Sequence, residues 1–157
     1  MQHNRNVRPL EDQMIRLEGQ GHKLEVAALR RSLYDDGGAP YNDWFTCLAT
    51  LRSTSCFGDF RFQLMRVDFV RFRDELAALL EKPLPGMQAR LCGIEPGIDL
   101  SLLVCSEGKV LGQYDLVDFD RTGADAPMVS GEIETRVEAL GLLIRGVDTI
   151  LAMGDKP

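Results

Sequence analysis

Residues 56–82 read CFGDFRFQLMRVDFVRFRDELAALLEK, and the spacing of the apolar residues changes halfway along this stretch. From Phe60 to Leu64 apolar and polar residues alternate, which is the period of a half-buried strand. From Asp68 onward the apolar residues recur every three or four positions, as on one side of an amphipathic helix. A strand that leads directly into such a helix predicts that the helix folds back over a sheet.

The same alternation recurs along the chain and predicts seven or eight short strands, joined mostly by hairpins. Residues 14–19 and 22–29 flank Gln20 and Gly21, where a tight turn is expected. A helix over residues 23–31 is the alternative, because Leu, Glu and Ala are good helix formers. The remaining strands are predicted near residues 44–52, 88–92, 99–104, 110–119 and 129–134, with loops over residues 30–43 and 120–127.

A second amphipathic helix is predicted from Thr135, where Thr135 and Glu138 have the spacing of a capping box. No alternation of single strands and helices recurs, and this favours an antiparallel sheet over a parallel one. The sequence therefore predicts an α+β fold: one mostly antiparallel sheet of about seven or eight strands, with two helices packed on one face. We expect a single domain over residues 14–153, a ragged N-terminal leader over 1–13 and a tail over 154–157.

The composition is typical of a soluble globular protein, at 45% hydrophobic and 27% charged residues. No apolar run approaches the roughly 20 residues that a membrane helix needs, and the first residues lack the apolar segment of a secretory signal. The four cysteines show no metal-binding spacing. Reduced thiols and a cytoplasmic location are expected, and disulfides are the alternative.

The net charge of −6 is unevenly distributed along the chain. Residues 1–82 contain 12 basic and 12 acidic side chains, whereas residues 83–157 contain 6 and 12. The acidic excess of the second half serves either solubility or the attraction of a basic partner. Direct nucleic-acid binding is disfavoured, because it requires a basic stripe.

Motifs that would indicate an enzyme are missing from the sequence. It contains no phosphate-binding loop, dinucleotide fingerprint, nucleophile elbow or metalloprotease motif, and we expect no cofactor and no bound metal. The best acidic constellation combines Asp115, Asp118 and Asp120 with Glu132 and Glu134 on the last strand. It is either a solvated acidic surface or, in the alternative, a carboxylate site that performs acid–base chemistry or binds a cation.

The order of the predicted elements resembles that of the WapI-type immunity protein family, which is associated with bacterial polymorphic toxin systems. The resemblance covers roughly residues 43–153. It is carried by Asp43-Trp44-Phe45, by the stretch from Phe60 to Leu76, by Ala89-Arg90-Leu91, Glu95 and Leu100-Ser101-Leu102, and by Gly131-Glu132-Ile133-Glu134 with the helix from Leu140 to Leu151. It implies a cytoplasmic, non-enzymatic protein that neutralises a toxin domain by binding it. It implies no functional residues, because the shared positions have the pattern of a core.

We therefore expect an immunity-type protein, monomeric or homodimeric, that binds a basic toxin domain such as a nuclease. Acidic side chains would speed the encounter and aromatic side chains would anchor the complex. The candidate contact residues are Tyr34, Tyr41, Asp115, Asp118 and Asp120. A small carboxylate-based enzyme and a generic protein-interaction or self-associating module are the two alternatives.

Overall fold

A computed structural model describes residues 14–33, 43–118 and 128–153 of the chain. Eight strands and two helices follow one another in the order β1 (Ile15–Gly19), β2 (His22–Leu33), β3 (Asp43–Arg52), β4 (Phe57–Met65), α1 (Arg66–Glu81), β5 (Gln88–Cys92), β6 (Ile98–Val104), β7 (Lys109–Val117), β8 (Met128–Arg136) and α2 (Leu140–Leu151). The predicted α+β class, the strand number and the two helices are confirmed.

The eight strands form two antiparallel sheets of four strands each, whereas the sequence predicted one sheet. The first sheet has the order β1-β2-β3-β4 and the second has the order β5-β6-β7-β8. Each sheet is followed by one helix, so the chain repeats one topology, although the sequence shows no internal repeat. The reason for the difference is physical: alternation marks one buried face per strand, and it does not say which element covers that face.

The inner faces of the two sheets pack against each other and form one continuous core. Their close approach depends on glycines of the second sheet and its turns. A Cβ added at Gly112 would lie 2.6 Å from a methyl group of Leu17, and a Cβ added at Gly97 would lie 2.3 Å from Phe62. The core side of β4 thus covers the second sheet, and its polar side faces outward.

The two helices pack against each other and against both sheets, α1 mainly along β5 and α2 along β1. Phe69 of α1 contacts Phe45 of β3 edge to face, with ring centroids 5.4 Å apart. Gly146 of α2 lies directly against the backbone at Met14, where an added Cβ would be 2.2 Å from the carbonyl oxygen. Arg73 of α1 donates a hydrogen bond to Asp148 of α2.

Two element boundaries differ from the sequence-based expectations. β2 continues to Leu33, into the first residues of the predicted loop over 30–43, where Arg31 pairs with Asp43 through hydrogen bonds of 2.8 and 2.6 Å. The capping box at Thr135 is wrong. That residue lies inside β8, and α2 begins at Leu140 without a side-chain cap. The tertiary pairing with β7 keeps Thr135 extended despite its favourable local pattern.

Within the described ranges, no helix is long and apolar enough to span a membrane.

Candidate protein-binding face

The outer face of the second sheet gathers the acidic side chains that the sequence singled out. Because neighbouring strands are in antiparallel register, outward side chains form rows across the sheet. One row is Cys92, Asp99, Asp115 and Ser130; the next is Arg90, Ser101, Gln113 and Glu132; the third is Gln88, Leu103, Leu111 and Glu134. We call the surface of Asp99, Asp115, Glu132 and Glu134 the acidic face.

A shallow concavity of about 440 Å³ lies in the middle of the acidic face. Its floor contains short or neutral polar side chains at Ser101, Gln113 and Ser130. Carboxylates at Asp99, Asp115 and Glu132 stand around them. A surface of this shape has room for the end of a long cationic side chain, with carboxylates as its partners.

Asp99 is neutralised within the sheet and offers little free charge. The Arg90 guanidinium donates two hydrogen bonds to its carboxylate, at 2.8 and 2.6 Å. This contact holds the pKa of Asp99 below its ordinary value and raises the pKa of Arg90. Asp99 also lies directly opposite Asp115, and like charges at opposed positions destabilise a sheet. Arg90 offsets this repulsion.

The other three carboxylates of the acidic face accept hydrogen bonds from neutral groups. The Ser130 hydroxyl donates to Asp115, the Gln113 amide donates to Glu132 at 3.2 Å, and the Gln20 amide donates to Glu134 at 3.4 Å. Among the described residues, no Lys or Arg forms an ion pair with these three carboxylates, and all three are exposed. Their charge is therefore presented to solvent.

Asp118 has a different position from Asp115, although both were candidates. It follows β7 and its carboxylate accepts the backbone N–H of Arg61 at the edge of β4, at 3.2 Å. This hydrogen bond connects the two sheets. The structure thus separates Asp118 from the acidic face and gives it a contact that the sequence did not indicate, since the partner lies 57 residues away.

Three of the candidate contact residues, Tyr34, Tyr41 and Asp120, lie outside the described residues.

The carboxylates do not converge into a cation site in the part of the chain that the structure describes. No group of three or more His, Cys, Asp or Glu side chains there has the geometry to hold a metal ion. Asp115, Glu132 and Glu134 occupy successive rows of one face, and Asp118 lies at the edge of the other sheet. This arrangement presents charge to a surface rather than concentrating it on one ligand.

A buried contact under the acidic face was missed from the sequence. The Tyr114 hydroxyl lies 2.6 Å from Nε2 of His22, and the two rings meet edge to face with centroids 5.5 Å apart. Burial, together with the nearby Cys56 thiol, raises the pKa of Tyr114. Tyr114 follows the strand alternation like an ordinary core residue, so the pattern holds no signal for its partner in another sheet.

The outer face of the first sheet has a more mixed composition. Asp59, Arg61 and Gln63 project from it as the alternation in β4 predicts. The neighbouring strands add the ion pairs Arg16–Glu18 and Lys23–Glu25, at 3.3 and 3.2 Å. Charges of both signs are interleaved there in ion pairs. The outer face of the second sheet also carries Arg90, Lys109 and Arg136, but its carboxylates at Asp115, Glu132 and Glu134 form no ion pair with a described Lys or Arg.

Comparison of the chain with protein-family models and with curated proteins finds no match.

Proposed function

We propose that this protein is a non-enzymatic immunity-type protein that neutralises a cognate bacterial toxin domain by direct binding in the cytoplasm. The observation that carries the proposal is the acidic face, with three exposed carboxylates at Asp115, Glu132 and Glu134, the first two of which line a concavity of about 440 Å³. The resemblance of the element order to the WapI-type immunity family supports the same conclusion. A basic partner, such as a nuclease domain, has the complementary charge.

Binding would proceed in two steps that the geometry supports. The three carboxylates that form no ion pair with a described residue attract a basic partner and raise the association rate, which then falls with added salt. Lysine or arginine side chains of the partner then contact Asp115 and Glu132 at the concavity. These carboxylates stand on paired strands and are oriented by Ser130 and Gln113, so little ordering is needed on binding.

The candidate residues outside the described ranges have a place in this proposal. Tyr34 and Tyr41 are proposed as aromatic anchors, and Asp120 as a further acidic contact. The Asp118 carboxylate already accepts the N–H of Arg61 at the edge of β4. We therefore propose that its main role is to connect the two sheets, and that a contact with the partner is secondary.

The test is a protection assay in cells. If an adjacent gene encodes a large toxin, its C-terminal domain is co-expressed with the protein, and growth is compared with cells that contain the toxic domain but lack the protein. Deletion should remove protection. In purified form, Asp115→Lys with Glu132→Lys should weaken binding by about tenfold or more, mostly through the association rate at low salt. Asp74→Lys with Glu81→Lys, which changes two exposed acids on α1 by the same total charge, is the matched control.

Two outcomes of these experiments would count against the proposal. If cells lacking the protein survive the toxic domain as well as cells containing it, the protein is not its immunity factor. If Asp74→Lys with Glu81→Lys weakens binding as much as the paired change on the acidic face, net charge rather than this surface governs association.

A further inference from the structure

The edge of β8 differs from the other three edges of the two sheets. An edge strand presents unpaired backbone N–H and C=O groups, and natural proteins usually cover or block them. At β5 the N–H of Arg90 donates to the Glu75 carboxylate at 3.1 Å, and at β4 the N–H of Arg61 donates to Asp118. At β1 the helix α2 packs against the backbone through Gly146.

β8 is covered at one end only. The carbonyl oxygen of Glu134 points away from β7 toward β1, where an added Cβ on Gly19 would lie 2.0 Å from it. Successive residues of an antiparallel strand direct their backbone groups alternately to the two sides. The backbone groups of Met128, Ser130 and Glu132 therefore point the same way as those of Glu134, away from β7.

No described residue accepts or donates at this part of the edge. The hydrogen bonds of the described backbone and side chains include none to the outward N–H groups of Met128, Ser130 or Glu132. The side chains of all three residues are exposed, Met128 at 68%. Residues 128–132 thus form a stretch of sheet edge at which no described helix or side chain blocks the outward backbone groups.

We propose that this edge pairs with an extended strand of the basic partner, which adds a fifth strand to the second sheet. The inference rests on the proposed function, because it names how the partner binds the same face. An added strand gains main-chain hydrogen bonds at the edge and specificity from alternate side chains. Side chains on its outer side would lie about 5 Å from those of Met128, Ser130 and Glu132.

Charge complementarity defines the occupant. Every second residue of the added strand would lie beside Ser130 or Glu132 on the outer face, next to the carboxylates of Asp115 and Glu132, so lysine or arginine suits those positions. The intervening residues would lie beside Val129 and Gly131, where small or apolar side chains fit. A second copy of this chain is a poorer occupant, because pairing β8 with β8 would bring carboxylates of both copies onto one face.

The experiment uses the whole protein and a labelled peptide of alternating lysine and valine. Binding is measured by fluorescence anisotropy at low and high salt. The same peptide with N-methyl groups on alternate amides cannot form the ladder, and a peptide of alternating glutamate and valine tests the charge. The expected result is salt-dependent binding of the first peptide, with about tenfold weaker binding of the N-methylated one.

Two variants at one position separate the backbone from the side chain. Ser130→Pro removes an N–H that points away from β7, so the ladder with β7 loses no hydrogen bond, as in natural edge strands. Ser130→Ala removes the same hydroxyl and keeps the N–H. The proline variant should bind the lysine peptide about tenfold more weakly than the alanine variant. Circular dichroism and the denaturation midpoint verify that both variants fold.

Three results would overturn the inference: equal binding by the two variants, equal binding of the N-methylated peptide, or no binding of the lysine peptide. A dimer in light scattering that only Ser130→Pro abolishes would also overturn it, in favour of self-pairing. Should the proline variant not fold, the N-methylated peptide with the unaltered protein still decides. The protection assay separates the two proposals: full protection by Ser130→Pro overturns edge pairing and leaves the immunity function intact.

Discussion

Arg90 offsets a repulsion that is part of the acidic face, and its removal is the most informative perturbation. The bidentate contact with Asp99 joins two half-exposed side chains, 55% and 37% accessible, so solvent screens it. Exposed pairs of this kind contribute about 0.2–1 kcal/mol. Arg90→Ala also leaves Asp99 facing Asp115 without a cation, at a further cost of about 0.2–1 kcal/mol. Together, these two effects should lower the free energy of unfolding by about 1 kcal/mol at neutral pH.

The pH dependence of this loss has a defined sign. Arg90 lowers the pKa of Asp99 in the folded protein, so the contribution to stability is complete above the unfolded pKa of about 3.9. It disappears as the pH falls through the depressed folded value. The difference in unfolding free energy between the wild type and Arg90→Ala should therefore be about 1 kcal/mol at pH 7 and close to zero near pH 2.

Urea denaturation at several pH values, followed by circular dichroism, measures this difference. For a domain of this size, 1 kcal/mol also corresponds to about 2–4 °C in the thermal midpoint. Adding Asp115→Asn to Arg90→Ala should recover roughly half of the loss, because it removes one of the opposed charges. Equal losses at pH 7 and at low pH would refute the electrostatic argument and assign the effect to packing of the Arg90 stem. Failure of Asp115→Asn to recover stability would show that the two aspartates do not repel.

Three further predictions concern the core and the helix start. Gly131→Ala should lower the free energy of unfolding, measured by urea denaturation, by about 1–3 kcal/mol, because the new Cβ would lie 2.3 Å from the Tyr114 hydroxyl. The loss should be smaller when Tyr114→Phe has removed that hydroxyl. Burial raises the pKa of the Cys47 thiol, so iodoacetamide should modify Cys47 last among the cysteines of the folded protein. Mass spectrometry can follow the order of modification, and early modification of Cys47 would contradict its burial. At the start of α1, the Asp68 carboxylate accepts the N–H of Met65 at 2.8 Å. Asp68→Ala should therefore lower the free energy of unfolding by about 0.5–2 kcal/mol, and Asp68→Asn should lower it less, because an amide oxygen can still accept this hydrogen bond. Equal denaturation midpoints for the two variants would argue against this cap.

The alternation and helical periods located nearly every element, because each depends on residues that are close in sequence. Phe60, Phe62 and Leu64 point inward as predicted, and the helix after them begins at Arg66, two residues before the first helical signal. The predicted element boundaries were wrong where a residue distant in sequence forms a contact. β2 continues into the first residues of a predicted loop, where Arg31 pairs with Asp43, and β7 keeps Thr135 in a strand.

The candidate site was predicted in part. The acidic second half of the chain and the outward direction of Glu132 and Glu134 follow from counting and from strand parity. The sequence could not show that Asp115 faces Asp99 and Ser130 while Asp118 caps the edge of β4. These contacts depend on strand register and on how two sheets approach each other, and neither is a local property.

The amino-acid sequence by itself determined the α+β class, the inward face of each strand and the amphipathic helix after β4. These follow from hydrophobic periods over five to fifteen residues, which act before any tertiary contact forms. Only the tertiary structure decided that the strands form two sheets, that the carboxylates of β7 and β8 share one face, and that no element within the described residues covers 128–132. A period identifies the face that leaves water, whereas the partner of that face is selected by packing across the whole chain.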